Sequence, residues 1–105
     1  MKKKILVVDD EPDFLEMIKI RLEANSYSVI TISDAKEVFL MAEKEMPDII
    51  IMDIVMPDID GYKICELLKQ GEKTKNIPMI LLTGKELEPQ SIQERCSKLG
   101  IEGFL

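Results

Sequence analysis

The sequence predicts an α/β domain whose parallel sheet carries helices on both faces. Short apolar segments alternate along the chain with segments in which apolar residues recur at helical spacing. This alternation of strands and helices is typical of parallel sheets whose strands are joined by right-handed crossovers. The 105 residues correspond in size to one domain, so we expect residues 1–105 to form a single unit with a five-stranded sheet.

Three of the predicted strands are continuous apolar runs, as expected for strands buried on both faces of a parallel sheet. They lie at residues 5–8, 49–52 and 79–82. Residues 29–33 alternate more and suit a strand nearer the edge of the sheet. Residues 103–105 have the character of the opening of a fifth strand.

Helical patterns lie between these strands. Pro12 suits the first turn of the first helix, and Asp34 is a candidate N-cap for the second. Four helices are predicted in all, bounded by Pro12 and the Asn25-Ser26 pair, by Asp34 and Pro47, by Gly61 and Gly71, and by Pro89 and Gly100.

Composition excludes several classes of function. The net charge is −6 and the only basic cluster is Lys2–Lys4, for which a solvated terminus is the simplest interpretation, so we expect no nucleic-acid binding. The apolar runs are too short for a membrane span or an export signal, and we expect a cytoplasmic protein. The chain has no histidine, so histidine metal sites and histidine-dependent nucleophiles are excluded. Cys65 and Cys96 have no metal or redox spacing and are expected to be buried thiols.

Three aspartates follow strands that the fold would bring together. Asp9 and Asp10 come directly after the first strand, and Asp53 comes directly after the third. These two strands are commonly neighbours in a doubly wound sheet, whose sites lie beyond the carboxyl ends of the strands. Turn chemistry explains one aspartate after a strand, but it explains all three less well. We therefore expect the three carboxylates to share one crevice.

A crevice of this kind has a specific chemistry. Like charges a few ångströms apart repel by roughly 4 kcal/mol at an effective dielectric of 20, so the cluster needs a cation or raised pKa values. Oxygen ligands without histidine favour a hard ion, Mg²⁺ first. One acid then remains as a nucleophile that can form an aspartyl phosphate. Thr83 and Gly84, after the strand at residues 79–82, would add a hydroxyl and space for a phosphoryl group.

Four ordered motifs resemble those of response-regulator receiver domains. They are ILVVDDEP at residues 5–12, DIIIMDIVMP at 48–57 followed by Asp60-Gly61, PMILLTG at 78–84, and Gly100, Gly103 and Phe104 at the approach to the fifth strand. The resemblance runs over essentially the whole chain. It implies a flavodoxin-like sheet of five parallel strands flanked by five helices.

The resemblance also implies a role for individual residues. Asp53 would be the phosphoacceptor, and Asp9 and Asp10 would bind Mg²⁺ together with Asp53 and the backbone carbonyl of Val55. Thr83 would be the switch hydroxyl and Phe104 the switch aromatic. The expected partners are a histidine kinase or phosphotransfer protein and an output domain or protein outside this chain, and a homodimer is compatible with this interpretation. Such a domain is a signalling module rather than an enzyme.

The chain departs from the family in one respect. Family members carry a Lys-Pro pair shortly after the aromatic residue, and their lysine contacts the phosphoryl group. Here that lysine would fall two residues beyond Leu105, and the fifth helix would follow it. We therefore expect a last strand that is cut short and a chain that belongs to a longer product, with a shortened receiver as the alternative.

Four other functions remain as alternatives. A degenerate receiver would bind partners without phosphoryl transfer. An aspartate-nucleophile phosphatase expects a second aspartate two residues after the first, where this chain has Val55. A topoisomerase-primase metal site would use Asp58 and Asp60, but these follow Pro57 in a predicted loop. A flavin carrier expects a Ser/Thr/Gly-rich phosphate loop after the first strand, where Asp9-Asp10-Glu11 would repel phosphate.

Overall fold

The computed structural model describes residues 2–53, 55–56, 59–82 and 103–104. The predicted helix at 89–99 and the residues Thr83, Gly84 and Cys96 lie outside this part of the chain. The elements are β1 (Lys4–Val8), α1 (Pro12–Ala24), β2 (Ser28–Ile32), a 3-10 turn (Ala35–Glu37), α2 (Val38–Glu45), β3 (Ile49–Asp53), β4 (Val55–Met56), β5 (Ile59–Asp60), α3 (Gly61–Gln70), β6 (Met79–Leu82) and β7 (Gly103–Phe104).

The main sheet is parallel, with the strand order β2-β1-β3-β6-β7. The order reverses direction after β1, which makes the sheet doubly wound, as predicted. The strands β1 and β3 are neighbours at its centre, and the more alternating strand β2 lies at its edge. The predicted opening of a fifth strand is confirmed by β7, whose two residues pair with β6.

Apolar cores lie on both faces of the sheet. Residues Leu6 and Val8 of β1 belong to the larger core, which is completed by α2 and α3. Their neighbours Ile5 and Val7 point to the opposite face and pack under α1. This two-sided burial explains why β1 is apolar at successive positions instead of alternating. Cys65 is a buried thiol in the larger core, as predicted.

The start of β1 is tied to the start of β3. The Lys4 amide donates to Asp48 Oδ2 at 2.7 Å, and the Asp48 amide donates to the Lys4 carbonyl at 2.7 Å. The Lys4 ammonium lies 3.2 Å from a carboxylate oxygen of Glu45, at the end of α2. The expectation of a solvated basic terminus is therefore wrong for Lys4, because this side chain bonds the end of a helix that packs on the sheet.

The helix ends follow the sequence signals with one correction. Pro12 is the first residue of α1, as predicted. Asp34 does cap a helical segment, since Oδ1 accepts from the Lys36 amide at 2.9 Å. The capped segment is a single 3-10 turn, however, and α2 itself begins at Val38. A cap motif fixes where a turn begins but does not distinguish 3-10 from α geometry.

A short hairpin between β3 and α3 was not predicted. Residues 55–56 pair antiparallel with residues 59–60, a segment that the sequence placed in a loop. Strands of two residues are too short to leave a periodic pattern in the sequence. Among the described residues, no helix combines the length and apolar character required to cross a bilayer.

Met46 offers a test of backbone strain. It has a positive φ of 46° after α2 and its side chain is 52% exposed. A left-handed conformation costs a residue with a Cβ roughly 1–2 kcal/mol. Glycine avoids this cost, but part of the gain is lost because its unfolded backbone has more conformational entropy to give up on folding. We expect Met46→Gly to raise the free energy of unfolding by about 0.5–1 kcal/mol in urea denaturation. Met46→Ala keeps the Cβ and should give no such gain, and equal stability of the two variants would contradict the prediction.

Candidate metal centre

Three carboxylates converge at the carboxyl ends of the two central strands. The register pairs Val8 with Met52, so Asp9 and Asp53 follow at the same level of the sheet. One carboxylate oxygen from each of Asp9, Asp10 and Asp53 lies within 4.8 Å of the other two. The crevice predicted from the sequence is therefore present, and it contains the three predicted residues.

Asp9 is the most constrained member of the cluster. Its amide donates to the Ile32 carbonyl of β2 at 3.1 Å, which fixes the backbone at the end of β1. Its Oδ1 accepts from the Glu11 amide at 2.9 Å. The residue is 6% exposed, whereas Asp10 and Asp53 are more accessible. Asp9 is thus held in one orientation before any ligand arrives.

Burial raises the pKa of Asp9 to about 6. The Glu11 amide opposes this shift because it donates to the charged carboxylate, and the nearby charges of Asp53 and Asp10 add to the shift. Two full negative charges 4.8 Å apart repel by about 3.5 kcal/mol at an effective dielectric of 20. The fold therefore holds these acids together at an electrostatic cost.

The donor set fits a magnesium ion. Every candidate side-chain ligand is a carboxylate oxygen, and Mg²⁺ is usually held by one or two carboxylates with waters and substrate phosphate. A divalent cation offsets both the burial of the Asp9 charge and its repulsion by the neighbouring acids, which together raise the pKa of Asp9. Asp9 and Asp10 are suited to hold the ion, which leaves Asp53 accessible for chemistry.

The other predicted site residues are described less completely. The strand β6 ends at Leu82, level with Asp53, and Thr83 comes next in the sequence but lies outside the described residues. In β7, the backbone of Phe104 pairs with that of Leu81 in β6. The backbone of Val55 pairs with Asp60, and its carbonyl as a metal ligand stays a prediction.

Sequence reasoning missed two backbone groups of the site. The Glu11 amide and the Ile32 carbonyl hold Asp9, but every residue carries such groups and no residue type marks them. A partial signal exists at Asp9 itself, because an aspartate side chain often accepts a hydrogen bond from the amide two residues further on, as it does here from Glu11.

The chain matches the family model of the response regulator receiver domain over residues 5–105. It is 42% identical over 88 residues to the alkaline phosphatase synthesis transcriptional regulatory protein PhoP of Bacillus subtilis (strain 168), covering 84% of this chain and 36% of PhoP. It is 37% identical over 93 residues to the response regulator PleD of Caulobacter vibrioides, covering 89% of this chain and 20% of PleD. The chain thus spans little more than a third of the length of PhoP and a fifth of the length of PleD.

Solved structures of a response regulator and of a receiver domain share the fold of this chain. The chemotaxis response regulator CheY4 of Vibrio cholerae superposes with a TM-score of 0.89 at 28% identity, covering 100% of this chain and 86% of CheY4. The receiver domain of the sensor histidine kinase PA1611 from Pseudomonas aeruginosa PAO1 superposes with a TM-score of 0.84 at 28% identity, covering 100% and 84%. That structure contains a magnesium ion coordinated in its active-site cleft.

The raised pKa of Asp9 predicts a pH-dependent stability. In chelator, folded Asp9 keeps its proton between about pH 4 and 6 whereas the unfolded residue loses it, so the free energy of unfolding should fall as pH rises through this window. The full effect is about 3 kcal/mol or less. Urea denaturation at several pH values should show this fall in the parent chain, and Asp9→Asn should lack it. Identical pH profiles of the two proteins would contradict the assignment.

Proposed function

The chain belongs to the response regulator receiver domain family, and we propose that it accepts a phosphoryl group on Asp53 in a magnesium-dependent reaction. The observation that carries this proposal is the convergence of Asp9, Asp10 and Asp53 within 4.8 Å at the end of the two central strands. The aspartate-nucleophile phosphatase expects a second aspartate where this chain has Val55, and the flavin carrier expects a phosphate loop where it has Asp9-Asp10-Glu11.

The environments of the three acids support different roles for them. A nucleophilic carboxylate has to be accessible and ionised, and Asp53 is more accessible than Asp9. Asp9 is buried, bonded to the Glu11 amide and costly to ionise, which suits a metal ligand. An oxygen of Asp53 attacks the phosphorus of the donor while the bond from phosphorus to the donor atom breaks. Mg²⁺ held by Asp9 and Asp10 would supply charge neutralisation to the transferring phosphoryl group.

We propose that the phosphoryl donor lies outside residues 1–105. This chain has no histidine, so it has no phosphohistidine of its own. We propose a histidine kinase or phosphotransfer protein as donor, with the reaction in the cytoplasm. Because PhoP and PleD are far longer than the matched segment, the proposed output lies outside this chain.

Phosphorylation is proposed to change a surface at the far side of the sheet. The strand β6 pairs with β3 at Asp53 and with β7 at Phe104, so one strand connects the acceptor to the predicted switch aromatic. The new charge on Asp53 would attract the Thr83 hydroxyl, and Phe104 would move in response. This couples a local electrostatic change to a two-state surface.

Magnesium should stabilise the folded chain. At a concentration ten times its dissociation constant, a ligand of the folded state adds about 1.4 kcal/mol to the free energy of unfolding. We expect Mg²⁺ to raise the melting temperature relative to chelator, and Asp10→Asn to reduce the gain. Glu23→Gln removes an exposed carboxylate at the opposite end of α1 and serves as the matched control. A parent chain that melts identically in Mg²⁺ and in chelator would refute the metal site.

Asp53 should be the residue that is phosphorylated. Incubation with acetyl phosphate and Mg²⁺ is expected to add a single phosphoryl group, which intact-mass measurement detects. Asp53→Asn should abolish the addition, whereas Asp58→Asn and Asp60→Asn should not. Addition to Asp58 or Asp60 would overturn the assignment, and no addition to the parent chain would favour a degenerate receiver.

The lifetime of the phosphoryl group should depend on position 55. Hydrolysis requires a water aligned behind the phosphorus, and a polar side chain can hold that water by hydrogen bonding. Valine can neither donate nor accept, so we expect a persistent phosphoryl group and roughly tenfold faster hydrolysis in Val55→Asn. The comparison is the decay of both phosphorylated proteins in Mg²⁺ without phosphatase. Equal decay rates would contradict this prediction and would indicate that the access of water past the backbone controls hydrolysis.

A further inference from the structure

We propose that β2 pairs through its open edge with β2 of a second copy of this chain, forming an antiparallel two-fold dimer. In the described sheet, β2 is the outermost strand and has β1 as its one neighbour. This edge is separate from the carboxylate cluster, so the proposal goes beyond the proposed phosphoryl transfer and does not depend on it.

The hydrogen bonds to β1 reveal which backbone groups of β2 point outward. The Ser28 amide donates to the Lys3 carbonyl at 2.8 Å, and the Ile32 carbonyl accepts from the Asp9 amide at 3.1 Å. Successive residues of a strand direct their backbone groups to opposite sides, so the amide and carbonyl of Ile30 also point to β1 in this register. The amides and carbonyls of Val29 and Thr31 therefore point away from the sheet.

These outward groups are self-complementary. A two-fold axis at Ile30 places Val29 opposite Thr31 of the second copy, and Thr31 opposite Val29 of the second copy. Directly opposed residues of an antiparallel pair can exchange both of their N–H···O bonds. The two pairs would thus form four intermolecular hydrogen bonds and join the two sheets into one.

The edge lacks the usual features that prevent such pairing. Natural edge strands often carry lysine, proline or a bulge that blocks another strand. Residues 27–33 contain no charged residue and no proline, and β1 and β2 pair in continuous register over five residues. Two copies of a chain with a net charge of −6 can therefore approach here without like charges facing each other in the paired strands.

A groove beside this edge supports the choice of a second copy as occupant. It has a volume of about 340 Å³ and lies between α1 and the end of β2. Glu16 and Lys19 of α1 line it together with Thr31 and Ser33, so it carries one carboxylate and one ammonium group. A second copy meets no net charge in this groove, which offers space to side chains of the incoming strand.

The dimer should be weak, because a few backbone hydrogen bonds and one strand edge provide most of its contacts. We expect a dissociation constant on the order of 100 µM. Sedimentation equilibrium from about 10 µM to about 1 mM should show the monomer converting to a dimer. Asp53→Asn should dimerise as the parent does, which separates this proposal from the outcome of the phosphorylation experiments.

Thr31→Pro tests the edge directly. Its proline removes an amide that points outward, so the hydrogen bonds to β1 are kept, as in natural edge strands that carry proline. The variant loses two of the four intermolecular bonds and should weaken the dimer at least tenfold. Thr31→Val keeps the amide and the shape of the side chain, and it should dimerise like the parent.

Amide exchange of the parent chain gives a second measurement that needs no substitution. The amides of Val29 and Thr31 should exchange rapidly in dilute protein and become protected as concentration rises, while the Ile30 amide stays protected throughout. A chain that remains monomeric at about 1 mM would overturn the proposal. A Thr31→Pro variant that dimerises like the parent, or protection of β2 by an added extended peptide without self-association, would also overturn it.

Discussion

The parallel pairing of β1 with β3 is the constraint on which the site depends. Both strands lie at the centre of the sheet, and Leu6, Val8, Ile50 and Met52 are fully buried in one continuous core. Burying an aliphatic side chain of this size contributes about 1.5–3 kcal/mol, so a register shift would be costly. The register fixed in this way places the residues that follow Val8 beside the end of β3. The backbone positions that carry these acids therefore stay close together despite the repulsion between the carboxylates.

Because the fold holds the three carboxylates close together, the repulsion between them favours the binding of a cation. A carboxylate that is free to move would turn toward water, but the Glu11 amide and the Ile32 carbonyl hold Asp9 in the crevice. Burial in the crevice raises the pKa of Asp9 to about 6. A divalent cation binds best where negative charge is already gathered, because the protein has met the cost of assembling the ligands during folding. Stability and ion binding are therefore linked at one residue.

The site and the regions around it belong to different parts of the sheet. The carboxylates come from the central strands, whereas β2 at one edge and β7 at the other take part in the proposed association and switching. This separation fits the range of relatives, in which a transcriptional regulator and PleD share the matched segment within much longer chains. Under the proposed function, an output outside this chain needs only to contact a surface of this small sheet.

The sequence by itself determined the α/β class, the central strands and the meeting of Asp9, Asp10 and Asp53. Runs of buried residues and aspartates that directly follow them are local features, so they can be read without the fold. Only the tertiary structure decided the 3-10 turn before α2, the hairpin of β4 and β5, the anchoring and raised pKa of Asp9, and the outward groups of β2. These features depend on backbone hydrogen bonds and on burial by segments distant in sequence. Every residue type except proline carries the same backbone donor and acceptor, and for that reason the sequence leaves their partners unmarked.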